Sequence, residues 1–394
     1  MVMPTQRTIL PEPDAAALAH SQSLSQHVQG LLKAQSGPLT FRQFMEQVLY
    51  APGLGYYTAG SHKLGAAGDF ITAPEISPLF SQTLAQAIAP VLPELDEANI
   101  LEVGAGRGVM AAAILRHLES LNALPQRYYI LELSPDLRAR QQATITEQAP
   151  QLLDRVEWLE CLPEALSAIV LGNEVLDAMP VNLFTIKAGQ VQERYVDWQG
   201  EQFVWLDGEL SDERIAARIA SIEESFGQPL AEGYTSEINL IAEDWLTTLG
   251  QHLQQGLVIL IDYGFPRHEY YHPQRHDGTL MCHYRHHAHA DPFQYIGLQD
   301  ITAHVDFTAM AEAAYAGGFK ICGYTNQSNF LIGSGLAELV RVVDNTAEQI
   351  KLAGEIKKLT MPHEMGELFK VIGLSKGMEI NMPGFNLRDL RNSL

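Results

Sequence analysis

Residues 100–108 read ILEVGAGRG, and this stretch decides the fold of the 394-residue chain. A short apolar strand runs into a turn with glycine at alternate positions, namely Gly104, Gly106 and Gly108. The residues that follow, 109–121, have the apolar spacing of a helix. Glycine lets the chain turn sharply while its backbone passes close to a ligand, because no side chain is present to clash. The stretch therefore predicts a nucleotide-type binding turn.

Two cofactor classes compete for such a turn. A dinucleotide site prefers the pattern Gly-x-Gly-x-x-Gly, whereas Val109 stands where the third glycine would be needed. Glu102, just before the first glycine, can meet the ammonium group of an aminoacyl moiety directly or through water. The pattern Glu-x-Gly-x-Gly-x-Gly therefore favours S-adenosylmethionine (SAM) over NAD.

The next apolar run, residues 128–133, carries the candidate ribose ligand. A carboxylate at the end of this strand accepts hydrogen bonds from both ribose hydroxyls, and Glu132 stands there. Its spacing from the glycine turn suits either cofactor, so Glu132 indicates a ribose without choosing between them. We assign the neighbouring Leu133 to the same cofactor site.

Strand and helix patterns alternate through the middle of the chain. Short apolar runs at 156–159 and 168–171 predict further strands, and the continuous run LVILI at 257–261 is typical of a strand buried on both faces. Such alternation predicts an α/β fold of Rossmann-like type with a mostly parallel sheet.

We divide the chain into three parts. Residues 1–97 are predicted to form an N-terminal helical cap with a Gly- and Pro-rich loop, and residues 98–334 the SAM-binding domain. Two insertions, at 182–253 and 265–300, interrupt that domain, and the first opens with a predicted β-meander. Residues 335–394 are predicted to be a helical extension.

Two local features give sharper expectations. Thr40 is placed to cap a helix that begins at the next residue. The runs KICGYT and NFLIGS are expected to form a closing β-hairpin that turns at Asn326 and Gln327.

The reacting end of the site is expected after the strand at 168–171, where the chain reads GNEVLDAMP. Ligands of open α/β sheets lie beyond the carboxyl ends of the strands. We therefore assign Asn173 to the cofactor and Glu174 and Asp177 to catalysis. The alternative is that Asn173 and Asp177 cap the following turn.

An arginine acceptor would need carboxylates of this kind. A guanidinium has a pKa above about 12, so a carboxylate must localise its charge and accept a proton during methyl transfer. Glu174, with Glu75 or Asp177 nearby, is the expected source of these carboxylates.

The composition of the chain limits the classes of molecule that it is expected to bind. The net charge of −21 and the pI of about 5.0 disfavour nucleic acid and suit a cationic substrate. The three cysteines show no disulfide framework. Neither a signal peptide nor a membrane span is expected, and these features predict a cytoplasmic protein.

The chain resembles the MidA-type methyltransferases, relatives of the mitochondrial complex I assembly methyltransferase. The matching segments, spread over residues 52–316, are PGLGYYTAG, GDFITAPEISPLF, LEVGAGRG, LELSPDLRARQ, GNEVLDAMPVNLF, LIDYGF, DGTLMCHYRHHAHADPF and QDITAHVDFTAMAEAA. The resemblance implies a seven-stranded class I SAM-methyltransferase sheet. It also implies an N-terminal helical cap and an inserted segment over the site.

The resemblance further implies site residues and a substrate. The family motif GDFxTAPE lies near the cofactor, which assigns Asp69, Thr72 and Glu75 to the pocket. His304 belongs to a family motif and is a candidate base or orienting residue, while a helix cap at Asp306 is the alternative for that segment. Eukaryotic relatives methylate an arginine of a complex I subunit, and the substrate of bacterial members is not implied.

Our leading hypothesis is a SAM-dependent enzyme that methylates an arginine of a protein substrate, possibly a subunit of a respiratory complex. Methylation of a small molecule or another side chain is the enzyme alternative. The second alternative is a SAM-binding assembly factor with little catalysis.

The His-rich loop at 268–289 is expected to hold no metal, because its spacing matches no standard site and the chemistry needs none. A homodimer stays open, since the meander at 182–208 could offer a strand edge to a partner.

Overall fold

The structure is a computed structural model that describes residues 10–59, 71–340 and 345–394. Its α-helices are α1 (Ala15–Gln35), α2 (Phe41–Tyr50), α3 (Ala73–Ile76), α4 (Pro78–Ile88), α5 (Val109–Ser120), α6 (Pro135–Gln148), α7 (Glu213–Phe226), α8 (Leu240–His252), α9 (Arg267–Tyr270), α10 (Phe307–Ala316), α11 (Gln327–Gly333), α12 (Leu336–Leu339), α13 (Thr346–Thr360) and α14 (Pro383–Asn386). Short 3₁₀ helices span Leu92–Glu94, Pro150–Arg155 and Arg391–Ser393, and a π-helical turn spans Pro362–Gly366.

The strands complete this description. They are β1 (Leu39–Thr40), β2 (Asn99–Val103), β3 (Tyr128–Leu131), β4 (Val156–Leu159), β5 (Leu166–Asn173), β6 (Asn182–Lys187), β7 (Gln190–Gln199), β8 (Gln202–Gly208), β9 (Thr235–Ile238), β10 (Leu253–Phe265), β11 (Met281–Tyr284), β12 (His287–His289), β13 (Asp300–Thr302), β14 (Val305–Asp306), β15 (Lys320–Asn326) and β16 (Phe369–Lys376).

The chain forms two compact units, each built from discontinuous segments. Unit 1 takes its described residues from Met1–Phe70, Pro180–Ile238 and Tyr271–Ala303, and unit 2 from Ile71–Met179, Asn239–Tyr270 and His304–Leu394. These segments do not follow the predicted boundaries after residues 97 and 334.

Unit 2 is built on one large sheet with the strand order β15-β16-β10-β5-β2-β3-β4, and β14 pairs beside β10. Strands β4, β3, β2, β5 and β10 are parallel to one another, whereas β16 is antiparallel to both β10 and β15. The predicted Rossmann-like, mostly parallel sheet is confirmed.

Strand β10 shows why a continuous apolar run occurs in this sheet. Leu257, Ile259 and Ile261 pack into the apolar cluster on one face, and Val258 and Leu260 pack into the cluster on the other. Both faces are covered by helices, so successive side chains are all buried although they point in opposite directions. The predicted strand at 257–261 is confirmed and extends further at both ends.

The structure of the last 60 residues differs from the predicted helical extension. The expected all-helical extension is wrong at β16, which inserts between β10 and β15 and completes the sheet. Val371, Ile372 and Leu374 are fully buried there. This strand follows the helices in the sequence but lies inside the sheet, so its pairing partners are more than 40 residues away along the chain.

The predicted hairpin at Asn326 and Gln327 is also wrong. Strand β15 ends at Asn326, and the following residues form helix α11. The Asn326 side chain accepts a hydrogen bond from the amide of Asn329, so it caps the helix. An asparagine favours both turns and helix starts, which explains the error.

Unit 1 contains the predicted β-meander, which is confirmed as β6, β7 and β8. Strand β1 extends the sheet beside β7, and β9 extends it beside β6. Helix α2 begins with a capping box in which Thr40 accepts from the Gln43 amide and Gln43 bonds back to the Thr40 amide. The predicted cap is therefore confirmed. Strands β11 and β12 of the His-rich loop form a small sheet of order β12-β11-β13 with the later strand β13.

None of the helices in the described ranges has both the length and the apolar character that a membrane crossing needs.

Candidate active site

The glycine turn between β2 and α5 needs its glycines for two physical reasons. Gly104, Gly106 and Gly108 have φ angles of 69°, 52° and 81°, which L-residues with side chains rarely adopt. A Cβ on Gly104 would lie 2.9 Å from Val175 Cγ2, and one on Gly108 would lie 3.0 Å from the Cα of Gln141. The turn is thus held closely between the loop after β5 and helix α6.

Glu132 follows β3 and is oriented by its neighbours. Its Oε1 accepts from the Ser134 amide at 2.9 Å, and its Oε2 accepts from Gln141 Nε2 at 3.1 Å. Burial raises the pKa of Glu132, and these two hydrogen bonds oppose that rise. Each oxygen keeps a lone pair for a further donor such as a hydroxyl.

Gln141 links these two parts of the site, and sequence reasoning included it only within a family segment and gave it no role. The fully buried amide donates from Nε2 to the Gly106 carbonyl at 3.0 Å as well as to Glu132. Its Oε1 accepts from Trp158 Nε1 at 2.9 Å. A glutamine in a polar helix carries no pattern that marks it, because its role depends on contacts with β4 and the glycine turn.

Glu102 lies on β2 beneath the turn and is only 1% exposed. Its Oε2 accepts from the Tyr128 hydroxyl of the neighbouring strand at 2.5 Å. Burial raises the pKa of Glu102 to about 7, although the bond from Tyr128 opposes the rise. The carboxyl is therefore poised to gain or lose a proton near neutral pH.

Glu75 reaches the glycine turn from helix α3. Its Oε1 lies 2.9 Å from Arg107 Nε, and the Glu75 side chain is 10% exposed. Thr72 stands at the start of the same helix without forming a side-chain cap. Asp69 lies outside the described residues. The structure thus brings one member of the GDFxTAPE motif to the turn through an ion pair.

The loop after β5 has an unusual backbone at its first residue. Glu174 has a φ of 53°, in the left-handed region that costs energy for a residue with a side chain. Its amide donates to the Ile261 carbonyl of β10 at 2.9 Å, and its Oε1 accepts from Asn173 Nδ2 at 3.0 Å. Asn173 Oδ1 is buried and accepts no hydrogen bond from a described residue.

Asp262 holds the rest of this loop. One oxygen of its fully buried carboxyl, Oδ2, accepts from the amides of Val175, Leu176 and Asp177 at 3.2, 2.9 and 3.3 Å. The other oxygen accepts from the Tyr263 amide at 2.9 Å. Burial raises the pKa of Asp262, and the charges of Asp177 and Glu174 raise it further.

Asp177 and His304 meet through Tyr263. The Tyr263 hydroxyl donates a short hydrogen bond to Asp177 Oδ2. Burial raises the pKa of Asp177 to about 6, while the bond from Tyr263 opposes the rise. The His304 ring packs edge-on against Tyr263 at 5.0 Å and stacks on Phe265 at 5.5 Å with an interplanar angle of 9°. Two aromatic rings thus hold this imidazole.

The predicted residues therefore fall into two groups in unit 2. The glycine turn, Glu102, Glu132 and Glu75 surround the carboxyl ends of β2 and β3, while Glu174, Asp177 and His304 lie near the ends of β5 and β10. Leu133 is 73% exposed beside the first group.

Asp306 accepts from the amides of Thr308 and Ala309, so the predicted helix cap at that residue is confirmed. Sequence reasoning included Asp262 only within a family segment and gave it no role.

These features fit SAM. The glycine turn leaves no side chain in the way of an adenosyl group, and Glu132 presents acceptors for ribose hydroxyls. The buried Asn173 Oδ1 offers a further acceptor. Within the described part of the chain, no group of three or more His, Cys, Asp or Glu is placed to hold a metal.

Replacing Gly108 with alanine should weaken binding of S-adenosyl-homocysteine at least about tenfold, because the new Cβ meets the Gln141 backbone at a strained φ. Gly354→Ala is the matched control, since nothing lies within 4 Å of that exposed helical position. Titration calorimetry measures both affinities. The control should bind normally and unfold with about 0.5–1 kcal/mol more free energy. Equal affinities in the two variants would contradict the assigned turn.

Glu102→Gln should flatten the pH dependence of stability in the cofactor-free protein. The folded chain holds the Glu102 proton up to about pH 7, whereas the unfolded chain releases it near the ordinary pKa of 4.5. Stability from this group is therefore full at low pH and is lost as pH rises through 7. Between pH 5 and pH 8 the wild-type free energy of unfolding should fall by about 2 kcal/mol more than that of the variant.

Urea unfolding at several pH values measures this difference. Glu157→Gln, an exposed position on β4, is the control and should keep the wild-type slope. A Glu102→Gln variant with an unchanged slope would show that the carboxyl does not hold its proton in the folded state.

Comparison with known proteins identifies the family of this chain. A family model described as S-adenosyl-L-methionine-dependent methyltransferase matches residues 83–325. The mitochondrial protein arginine methyltransferase NDUFAF7 of Mus musculus is 29% identical, and the match covers 86% of this chain and 81% of the mouse protein. The Danio rerio protein of the same name is 27% identical, with 89% and 86% covered.

Solved structures agree with these matches. A Burkholderia thailandensis protein crystallised with S-adenosyl-homocysteine is 44% identical and has a TM-score of 0.93, with 98% of this chain and 100% of that chain covered. A native crystal structure from the same organism is 43% identical, has a TM-score of 0.90 and has the same coverage. The resemblance to MidA-type enzymes and the SAM cofactor are confirmed. The chain belongs to the S-adenosyl-L-methionine-dependent methyltransferase family that matches residues 83–325.

Proposed function

We propose that this enzyme methylates an arginine side chain of a protein substrate. The names of the curated relatives support an arginine acceptor. The observation that carries the proposal is the pair of carboxyl groups of Glu174 and Asp177 after β5, in a loop that Asp262 holds in place. A cationic acceptor is the kind of substrate that such a group attracts.

We assign the cofactor to the first group of residues. Glu102, Gly104, Gly106, Gly108, Glu132, Leu133 and Asn173 would hold SAM, with Asp69, Thr72 and Glu75 beside them. When bound, SAM supplies a methyl group on a positively charged sulfur. Arg107 pairs with Glu75, so that carboxylate serves the turn in the described arrangement rather than the acceptor.

Glu174 is the proposed catalytic carboxylate. A guanidinium nitrogen forms the new bond to the methyl carbon while the carbon–sulfur bond breaks, and the nitrogen then loses one proton. Glu174 localises the guanidinium charge before transfer and accepts that proton afterwards. The methylated guanidinium keeps its positive charge, so the atoms and charges balance.

Asp177 and His304 would support the acceptor side. The short bond from Tyr263 gives Asp177 a fixed orientation, and the pKa of about 6 leaves it mainly ionised at neutral pH. His304 is held between aromatic rings and would orient the target or relay the proton. Both assignments depend on acceptor binding near the end of β5.

Asp262 is the proposed positioning residue for Glu174. Four successive amides, from Glu174 to Asp177, are tied to Ile261 and Asp262. A left-handed residue with a side chain persists only where its surroundings determine it. Loss of the Asp262 carboxylate would therefore free the loop that sets the Glu174 conformation.

Location and partners remain part of the proposal. The sequence favours a cytoplasmic enzyme, whereas the curated relatives are named mitochondrial. A subunit of a respiratory complex is the proposed class of protein substrate, and a homodimer is a further proposal.

Glu174→Gln should reduce methyl transfer at least about 100-fold while binding of S-adenosyl-homocysteine stays within threefold of wild type. The amide keeps the size of the side chain and one acceptor oxygen for Asn173, but it carries no charge and accepts no proton. Labelled SAM is incubated with the enzyme and a lysate from cells that lack it, and the label is then followed in proteins and in small molecules.

Glu164→Gln, at an exposed position with the same change of charge, is the control and should keep full activity. Arginine hydrolysis products that carry the label support the proposal. Label confined to small molecules, label in no fraction, or full activity of Glu174→Gln would each contradict it.

Asp262→Asn should lower kcat about tenfold or more and leave the affinity for S-adenosyl-homocysteine nearly unchanged. The amide places a donor where the carboxylate accepts backbone amides, so the loop loses part of its support. Exposed Asp154→Asn is the control. A variant that loses stability but keeps the wild-type kcat would show a purely structural role.

A further inference from the structure

A cavity of about 330 Å³ lies within unit 1, and its lining includes none of the residues assigned above. Helix α1, the hairpin of β7 and β8, and the loop around Asp291 form its walls. Its lining combines the aromatic rings of Trp198, Phe203 and Phe293 with the carboxylates of Glu201 and Asp291. The methyl-transfer reaction uses none of these residues.

The aromatic side of the cavity is held in a fixed arrangement. Trp198 packs edge-on against Phe203 with ring centroids 4.8 Å apart, and Phe203 lies 6.0 Å from Phe293. Both phenylalanines also contact the buried Phe44 of α2 edge-on at 5.5 Å. Because the core of the unit already holds these rings in place, they lose little conformational entropy when a ligand binds to them.

The acidic side of the cavity consists of Glu201 and Asp291. Among the described residues, no lysine or arginine lines the cavity, and neither Glu201 nor Asp291 forms an ion pair. Asp291 is oriented by the Phe293 amide at 3.1 Å and by Gln294 Nε2 at 3.1 Å. One carboxylate is thus fixed in place, and the other stands at the tip of the hairpin.

Glu201 occupies a position that ordinarily suits glycine. It forms a two-residue turn with Gly200 between the paired residues Gln199 and Gln202, and the φ angles of Gly200 and Glu201 are 55° and 67°. Turns with two positive φ angles favour glycine at the second position, so a glutamate there is strained. A strained residue that supplies a carboxylate to a cavity suggests a binding role.

We propose that this cavity binds a guanidinium side chain from a basic segment of the protein substrate. A planar cation stacks on aromatic rings and donates hydrogen bonds to carboxylates at the same time. The chain's net charge of −21 draws basic segments toward it. The inference rests on the proposed function for its protein substrate, and it assigns a second contact besides the methylated residue.

The test measures binding of a fluorescein-labelled Gly-Arg-Gly-Arg-Gly peptide to the full-length protein by anisotropy, with S-adenosyl-homocysteine present. Glu201→Gln should weaken binding at least fivefold. Glu209→Gln, an exposed position just after the same hairpin, is the matched control and should bind within twofold of wild type. A peptide with glutamine in place of both arginines should not distinguish the proteins. Equal affinities for Glu201→Gln and Glu209→Gln would overturn the proposal.

Two further variants separate this site from folding and from catalysis. Glu201→Gly relieves the strained turn, so it should unfold at the same or higher urea concentration while losing peptide affinity; retained affinity would overturn the proposal. Glu174→Gln should still bind the peptide through the cavity, and loss of all binding in that variant would overturn it too. If peptide binding depends on Glu201 but the enzyme methylates no protein, the proposed function is contradicted. The assignment of the cavity as a guanidinium site is then still supported.

Discussion

Four consecutive backbone amides at the end of strand β5 donate to two adjacent residues of strand β10, the Ile261 carbonyl and the Asp262 carboxyl. Amides that leave a buried strand without partners would cost the fold free energy, and here one side chain satisfies three of them. The same loop places Val175 against Gly104, so it also limits the space in which the glycine turn can lie. The cofactor turn and the reacting loop are therefore one connected arrangement, and it depends on a single buried carboxyl.

Burial acts differently on the carboxyls of this site. Asp262 and Asp177 lie close together in the interior, where desolvation raises both of their pKa values and their charges oppose each other. Glu132 is less enclosed and receives two hydrogen bonds that favour its ionised form. Burial raises the pKa of Glu102 to about 7, and among the described residues the Tyr128 hydroxyl is the one donor that opposes this rise. Identical functional groups thus acquire different proton affinities from their burial and their local partners.

Local patterns predict the parts of the fold that depend on neighbours in sequence. The strand, glycine turn and helix at 99–120 and the capped helix α2 follow from residues only a few positions apart. Strand β16 could not be predicted in the same way, because its place in the sheet depends on strands distant in sequence. The residues Asn326 and Gln327 suit a turn and a helix start equally well. In the folded chain, tertiary packing stabilises the helix.

The candidate site shows the same limit. Glu102, Glu132 and Glu174 stand at strand ends, and that position alone marks them in the sequence. Gln141 and Asp262 act through contacts that join separate elements, so no spacing rule reveals them. The left-handed backbone of Glu174 is likewise a property of the folded loop, since a glutamate has no intrinsic preference for it.

The site would bind the substrates and the products of the proposed reaction with different electrostatic stabilisation. Before transfer, the site would hold a sulfonium and a guanidinium, both positive, beside several buried or partly buried carboxyls. Transfer removes the sulfonium charge, whereas the methylated guanidinium keeps its own. Attraction between opposite charges is stronger away from water, so the site loses more electrostatic stabilisation on forming its products than an exposed site would. Those carboxyls that are ionised would therefore favour the charged cofactor over S-adenosyl-homocysteine, and this preference would assist release of the spent cofactor after each turnover.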